Sequence, residues 1–237
     1  MKKILIIFMF LFLLTGCGKN NNELVMVTEA GFAPYEYYED GKIVGVDIDI
    51  AEEIAKKMGK KLVIKDVAFD SIINEVKSNK SDFGAAGISY SEEREKEVDF
   101  SINYTTSKQV VVIKKDSGIT VDNLDGKKIA VQLGSIGDGY VTSNYKNSEI
   151  VRQKKYLQAI EDLKSDKVDC VVMDELPALE FVKVNDNLMV LDKELTSDSY
   201  GMIVKKGNTE LLNTINEVLK ELKDNGKIDE FIINHTK

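Results

Sequence analysis

The chain has 237 residues, enough for one large domain or two small ones, and its 43% hydrophobic and 30% charged residues are an ordinary globular balance. Its formal net charge of −8 leaves no basic surplus to neutralise phosphates, so nucleic acid is excluded as a partner. One histidine and two cysteines make no Cys/His cluster, which sets metal binding and an intramolecular disulfide framework aside.

Residues 1–16 read as a signal peptide. Lys2 and Lys3 give a positive start, and the apolar run from Ile4 to Leu14 is well short of the ~20 residues that cross a bilayer. Leu14-Thr15-Gly16-Cys17 resembles a bacterial lipobox, whose cysteine is lipidated and becomes the mature N-terminus. The alternative is an ordinary signal peptide with a chance cysteine. Residues 17–23, rich in asparagine, read as a polar tether. With Cys17 acylated only Cys170 remains, inside an apolar run, where it reads as a small core hydrophobe.

From Glu23 onward strands and helices alternate. Leu24 to Val27 predicts a strand. Asp47 to Met58 predicts a helix with Ile50, Ile54, Ala55 and Met58 on one face, Asp47 as its N-cap and Gly59 as its stop. Lys61 to Val67 predicts a strand, Asp70 to Ser78 a helix, and Phe83 to Ile88 a strand of small residues. The pattern restarts with strands at Val110 to Ile113 and Lys128 to Val131. A glycine-rich turn, Gly134 to Gly139, then leads to a helix beginning at Tyr140. Tyr156 to Lys164 predicts a helix, Val168 to Met173 a strand, Leu176 to Val184 a helix, Gly201 to Val204 a strand, and Thr209 to Lys223 an amphipathic helix. This βαβ rhythm, run twice, implies an α/β protein of two lobes with mostly parallel sheets and a ligand crevice at strand ends.

Six segments carry a further resemblance: Phe32-Ala33-Pro34-Tyr35-Glu36-Tyr37, Gly45 to Ala51, Phe69 to Ile73, Gly87-Ile88-Ser89 through Arg94 to Ser101, Val131 to Ser135, and Val172 to Glu175. In that order and spacing the chain resembles the solute-binding proteins of polar amino acid ABC transporters, from about Leu24 to Phe231. The resemblance implies a two-lobed, periplasmic-binding-protein-like (type II) fold with two hinge crossings, near Thr105 to Gln109 and Thr196 to Gly201. Lobe one would hold 24–107 and 198–237, and lobe two 108–197. It implies a free L-amino acid as ligand, a membrane permease as partner, no cofactor and no catalysis, in a monomeric, extracytoplasmic protein held to the membrane by lipid on Cys17.

The site residues follow from the same resemblance. Only two of the 32 basic residues are arginine, and Arg94 sits among Glu92, Glu93, Glu95 and Glu97. A guanidinium fork matches an α-carboxylate with two parallel hydrogen bonds, which an ammonium cannot do. In similar proteins the residue at the Arg94 position makes that clamp, with Gly87 and Ser89 beside it. Read from periodicity alone, Arg94 is a helix-surface cation pairing with its glutamates. Asp174 matches the acid that takes the ligand's α-ammonium, or else serves as N-cap of the next helix. Phe32 and Phe69 match aromatic rings that sandwich the ligand side chain. Ile136 and Gly137 lie in the glycine-rich turn, where Ile136 replaces the Thr or Ser often seen. Glu29, with Gln132 nearby, faces the ligand's far end. A carboxylate in a desolvated cleft needs a cation or donors, so the ligand is expected to be arginine, lysine, histidine, ornithine or glutamine, unless Glu29 pairs with a protein lysine. Alternatives are a sensor or adhesin module on this fold, or a dehydratase resembling cyclohexadienyl dehydratase, which the absence of a cleft histidine disfavours.

Overall fold

The computed structural model describes residues 22–236; the expected signal peptide and Cys17 lie outside the described residues. The first half builds β1 (Glu23–Thr28), β2 (Tyr37–Glu39), β3 (Lys42–Val44), α1 (Val46–Lys57), β4 (Lys61–Asp66), α2 (Ile72–Lys77), β5 (Phe83–Gly84), the short α3 (Glu92–Glu95) and β6 (Val98–Phe100). Then follow β7 (Thr105–Lys114), β8 (Lys128–Gln132), α4 (Ile136–Asn144), β9 (Glu149–Gln153), α5 (Tyr156–Lys164), β10 (Cys170–Asp174), α6 (Glu175–Lys183), β11 (Leu188–Val190) and β12 (Thr196–Tyr200). The chain closes with β13 (Ile203–Lys205), α7 (Thr209–Asp224) and α8 (Lys227–His235).

Two sheets divide these strands. The first has the order β4-β1-β5-β13-β6, with β1 parallel to both β4 and β5. The second has the order β11-β7-β10-β8-β9, with β12 added along β7. The chain passes between the sheets twice, at β7 and β12, which run antiparallel with Thr196 opposite Gln109 and Tyr200 opposite Thr105. The two lobes expected from sequence are therefore present, and their joint is a two-stranded ribbon.

Helices form where apolar spacing gives them a face to bury. In α7, Leu211, Ile215, Val218, Leu219 and Leu222 are buried at helical spacing, each contributing roughly 1.5–3 kcal/mol of transfer free energy. In α1, Ile50, Ala51, Ile54 and Ala55 do the same. The strands Cys170–Asp174 and Val110–Ile113 are buried throughout, as expected for strands covered on both faces. Cys170 is free and buried, as its surroundings predicted.

Three expectations are corrected. Asp47 is not the N-cap of α1; Gly45 holds that position, and Asp47 turns inward. The strand expected over Phe83 to Ile88 stops at Gly84, because the chain leaves the sheet to approach the cleft. The glycine-rich stretch is not a turn before the helix but its first turn, since α4 begins at Ile136 with the Ser135 hydroxyl accepting from the Asp138 amide at 3.1 Å. The single histidine, His235, ends α8 and bridges Tyr37 and Asp49 at 3.1 and 3.0 Å.

Gly45 is fixed by both backbone and space. Its φ is 133°, and an added Cβ would lie 2.2 Å from the Tyr35 carbonyl oxygen. Gly45→Ala should therefore lower stability by about 2 kcal/mol or more, from strain and overlap together. Denaturant unfolding checks this; a stability within 0.5 kcal/mol of wild type, the range of a neutral surface change, would contradict it.

Candidate functional site

The carboxyl ends of β1 and β10 and the loop after β5 meet at one cavity between the sheets. It is lined by Glu29, Phe32 and Glu36, by Phe69, Gly87, Ser89 and Arg94, and from the second lobe by Gln132, Ile136, Tyr156 and Asp174. The space between its atoms is about 300 Å³, bounded by residues of both sheets. The lobes are closed down on the site, and a ligand enters only when they part. A larger, more open groove of about 1460 Å³ by the same measure lies on the outer side of Arg94 and shares Phe69, Ser135 and Ile136 with it; the polar groups converge in the smaller space.

Arg94 reaches this space from α3. Among the described residues it makes no ion pair with its neighbouring glutamates: Glu95 takes the Tyr90 hydroxyl and Glu97 pairs with Lys77. Its guanidinium instead donates to the Ser89 carbonyl at 2.6 Å and, across the cleft, to the Gly134 carbonyl at 2.8 Å, and it lies 5.5 Å over the Phe69 ring. Burial pushes its pKa down, opposed by the carboxylates of Asp198 and Asp174. Two backbone contacts use two of its five N–H groups, which leaves a fork to offer an anion. Gly87, with φ 52°, lets the chain pass under the Phe32 ring, whose edge would be 2.7 Å from any Cβ there.

Asp174 occupies the N-cap position of α6, yet its side chain caps nothing. It accepts from the Ser107 hydroxyl at 2.8 Å and the Tyr200 hydroxyl at 2.6 Å. The choice between cap and site is thus resolved by geometry: the backbone takes the cap position and the carboxylate faces the cavity. Burial, and then the charge of Asp198, raise its pKa. Asp198 is a residue that sequence reasoning missed. It lies on β12, accepts from the Ser89 hydroxyl at 2.8 Å and from the Gln109 amide at 3.2 Å, and brings a second carboxylate beside Arg94.

At the far end Glu29 is almost fully buried. Its carboxylate accepts from the Gln132 amide at 3.2 Å and pairs with the Lys155 ammonium at 3.0 Å; Lys155 also lies 3.8 Å from Asp66. Burial raises the pKa of Glu29, and Lys155 and Gln132 partly offset it. Of the two sequence readings for Glu29, the protein lysine is present. Tyr156, which also lines this end, and Lys155, which pairs with Glu29, were missed, because Lys-Lys-Tyr at a helix start carries no binding signal. Tyr156 stacks on Phe32 with ring centroids 5.7 Å apart. Phe69 and Ile136 line the cavity, while Gly137 does not, its Cα packing instead against Gln109 and Val172.

Comparison with known proteins decides the family. Bacterial extracellular solute-binding proteins, family 3, match residues 24–235. The chain belongs to that family. It is a solute-binding protein for polar amino acids serving an ABC transporter, and not an enzyme. Relatives include the arginine-binding extracellular protein ArtP of Bacillus subtilis, 34% identical over 92% of this chain and 91% of that one. Among solved structures, the amino acid transporter substrate-binding protein AbpA of Streptococcus pneumoniae, bound to L-arginine, is 35% identical with a TM-score of 0.87, covering 91% of this chain and 94% of the other. An ancestral arginine-binding protein bound to glutamine is 38% identical with a TM-score of 0.84, covering 90% and 97%. No helix among the described residues is long and apolar enough to cross a membrane.

Lys155 places a cation from the second lobe against the acids of the first. Lys155→Gln should raise the preference for cationic over neutral amino acids roughly 3- to 10-fold, the effect of removing one partly screened charge several ångströms from the ligand. Calorimetric titration of the variant with both ligand types measures the ratio; a ratio unchanged or lowered would show that Lys155 leaves selectivity alone.

Proposed function

We propose that this protein captures a free L-α-amino acid with a cationic side chain, arginine foremost, and delivers it to a membrane permease, acting as a monomer held to the membrane by lipid on Cys17. The observation that carries the reading is the convergence of Arg94 from one lobe and Asp174 from the other on one cavity. Arg94 suits the α-carboxylate and Asp174 the α-ammonium. Only the closed form offers both, so the ligand itself stabilises closure. Phe32, Phe69 and Tyr156 suit the apolar stem of the side chain, Gly87 and Ser89 the backbone end, and Gln132 and Ile136 the wall. Glu29 and Glu36 supply the acidic far end. The arginine- and glutamine-bound relatives support a long side chain ending in several N–H donors.

Arg94→Ala should weaken binding by about 2–5 kcal/mol, the usual cost of stranding one member of a buried charge pair, and Arg94→Lys should also bind poorly. Glu29→Gln should harm cationic ligands far more than glutamine. A thermal-shift screen of the amino acids, followed by calorimetry, tests both, since a ligand raises the melting point by mass action. Unchanged affinity in Arg94→Ala would reject the clamp.

The raised titrations of Asp174 and Asp198 set a pH dependence. A protonated acid cannot hold an ammonium. Affinity for any α-amino acid should therefore fall on acidification at a pH above the ordinary aspartate value of about 3.9. Affinity constant from pH 7 to pH 4 would contradict it.

A further inference from the structure

Glu36 lines the cavity and has no role in the clamp. It follows the Phe32-to-Tyr35 turn and is 1% exposed. Neither of its oxygens meets an N–H or O–H donor among the described residues. Its polar neighbour within hydrogen-bonding range is the carboxyl of Asp47, on α1. Asp47 is itself fully buried and already accepts from the Gly87 amide at 3.0 Å and the Tyr104 hydroxyl at 2.7 Å.

The charges that bear on Glu36 from the surrounding elements are Asp47 on α1, Glu29 after β1 and Asp174 at the end of β10, all acidic, with the neutral phenols of Tyr35 and Tyr104 between them. The cations of the site are engaged elsewhere: Lys155 with Glu29 and Asp66, and Arg94 with Ser89 and Gly134. Two buried carboxyls in contact, without a cation, cannot both ionise. One shared proton satisfies them, Glu36 donating through it to Asp47.

We propose that Glu36 is the residue by which the site distinguishes a cationic side chain from a neutral one: it holds a proton while no cation is present and releases it to solvent when a cationic side chain enters. The charge balance is closed, one positive charge arriving and one proton leaving. A neutral side chain that reaches Glu36 with an amide leaves the proton in place, so the same floor accepts both kinds of ligand, and only the first exchanges a proton. Burial first, and then Asp47, hold the Glu36 carboxyl well above the usual range, which supports the same assignment. This inference rests on the cationic-ligand reading above and deepens it.

The experiment is calorimetry of the mature protein with arginine and with glutamine at pH 7.5, in phosphate and in Tris. The two buffers differ in ionisation enthalpy, so the difference in observed heat counts protons exchanged. Arginine should release close to one proton more than glutamine. Glu36→Gln should abolish that difference. Wild type alone gives a second test that needs no variant. Between pH 6 and pH 8 arginine affinity should rise up to tenfold per pH unit relative to glutamine affinity, as expected for one linked proton. Equal proton counts for the two ligands, or a difference that survives in Glu36→Gln, would overturn the proposal while leaving amino acid capture intact. Failure of every cationic amino acid to bind would overturn this inference and the cationic reading together.

Discussion

A guanidinium turned away from the glutamates beside it in sequence and into the cleft is the constraint around which this site is organised. Arg94 stands beside four glutamates in sequence and pairs with none of them among the described residues. Its side chain is half-buried, and its hydrogen-bond partners are carbonyl oxygens. Opposite, Asp174 is a buried carboxylate held by two hydroxyls, while the half-buried Asp198 beside Arg94 is held by a hydroxyl and an amide. Unlike charges separated by a gap, each desolvated, are poorly satisfied until a zwitterion of the right length lies between them. The free energy of closing is thereby made conditional on the ligand.

That condition needs a joint that moves while the charged groups stay fixed to rigid elements. Both chain crossings run through the β7–β12 ribbon. It also carries Ser107, Gln109, Asp198 and Tyr200, so the groups that hold the two carboxylates are built into the hinge. Asp47 and Glu36 extend the acidic surface beneath the first lobe. Acids kept in this state weigh on the fold. Asp47, raised to about 6, favours folding while protonated, and that contribution is lost as pH rises from about 3.8 through 6. Ligand capture gains instead from the ionisation of Asp174 and Asp198, so fold and function draw oppositely on pH, a common pattern at binding sites.

Much of this was legible in the sequence because hydrophobic periodicity follows burial. The helix at Tyr156–Lys164 and the long α7 match their apolar spacing, and the buried strand at Cys170–Asp174 its continuous apolar run. The elements that escaped are those whose residues answer to the cleft instead of the core. Strand β12 reads Thr-Ser-Asp-Ser-Tyr, with no apolar pattern, because its partners are polar groups across the hinge; periodicity misses it, and the resemblance alone placed a crossing near Thr196 to Gly201. The run Gly84 to Gly87 looked like a small-residue strand; its smallness reflects the Phe32 ring and the cavity floor. Asp47 had the position of a helix cap and the environment of a buried acid, and only Tyr104 and Gly87, 57 and 40 residues away in sequence, decide between them. Lys155 likewise became a site residue only when the second lobe folded over Glu29.

The central claim is that both ends of one zwitterion are gripped, one by each lobe. Calorimetry comparing arginine with its decarboxylated amine, agmatine, tests it most directly, because the two share every atom of the side chain and differ at the group Arg94 would hold. Agmatine should bind at least 30-fold more weakly, the lower end of about 2–5 kcal/mol for an unpaired buried charge. Agmatine binding as tightly as arginine would contradict the account.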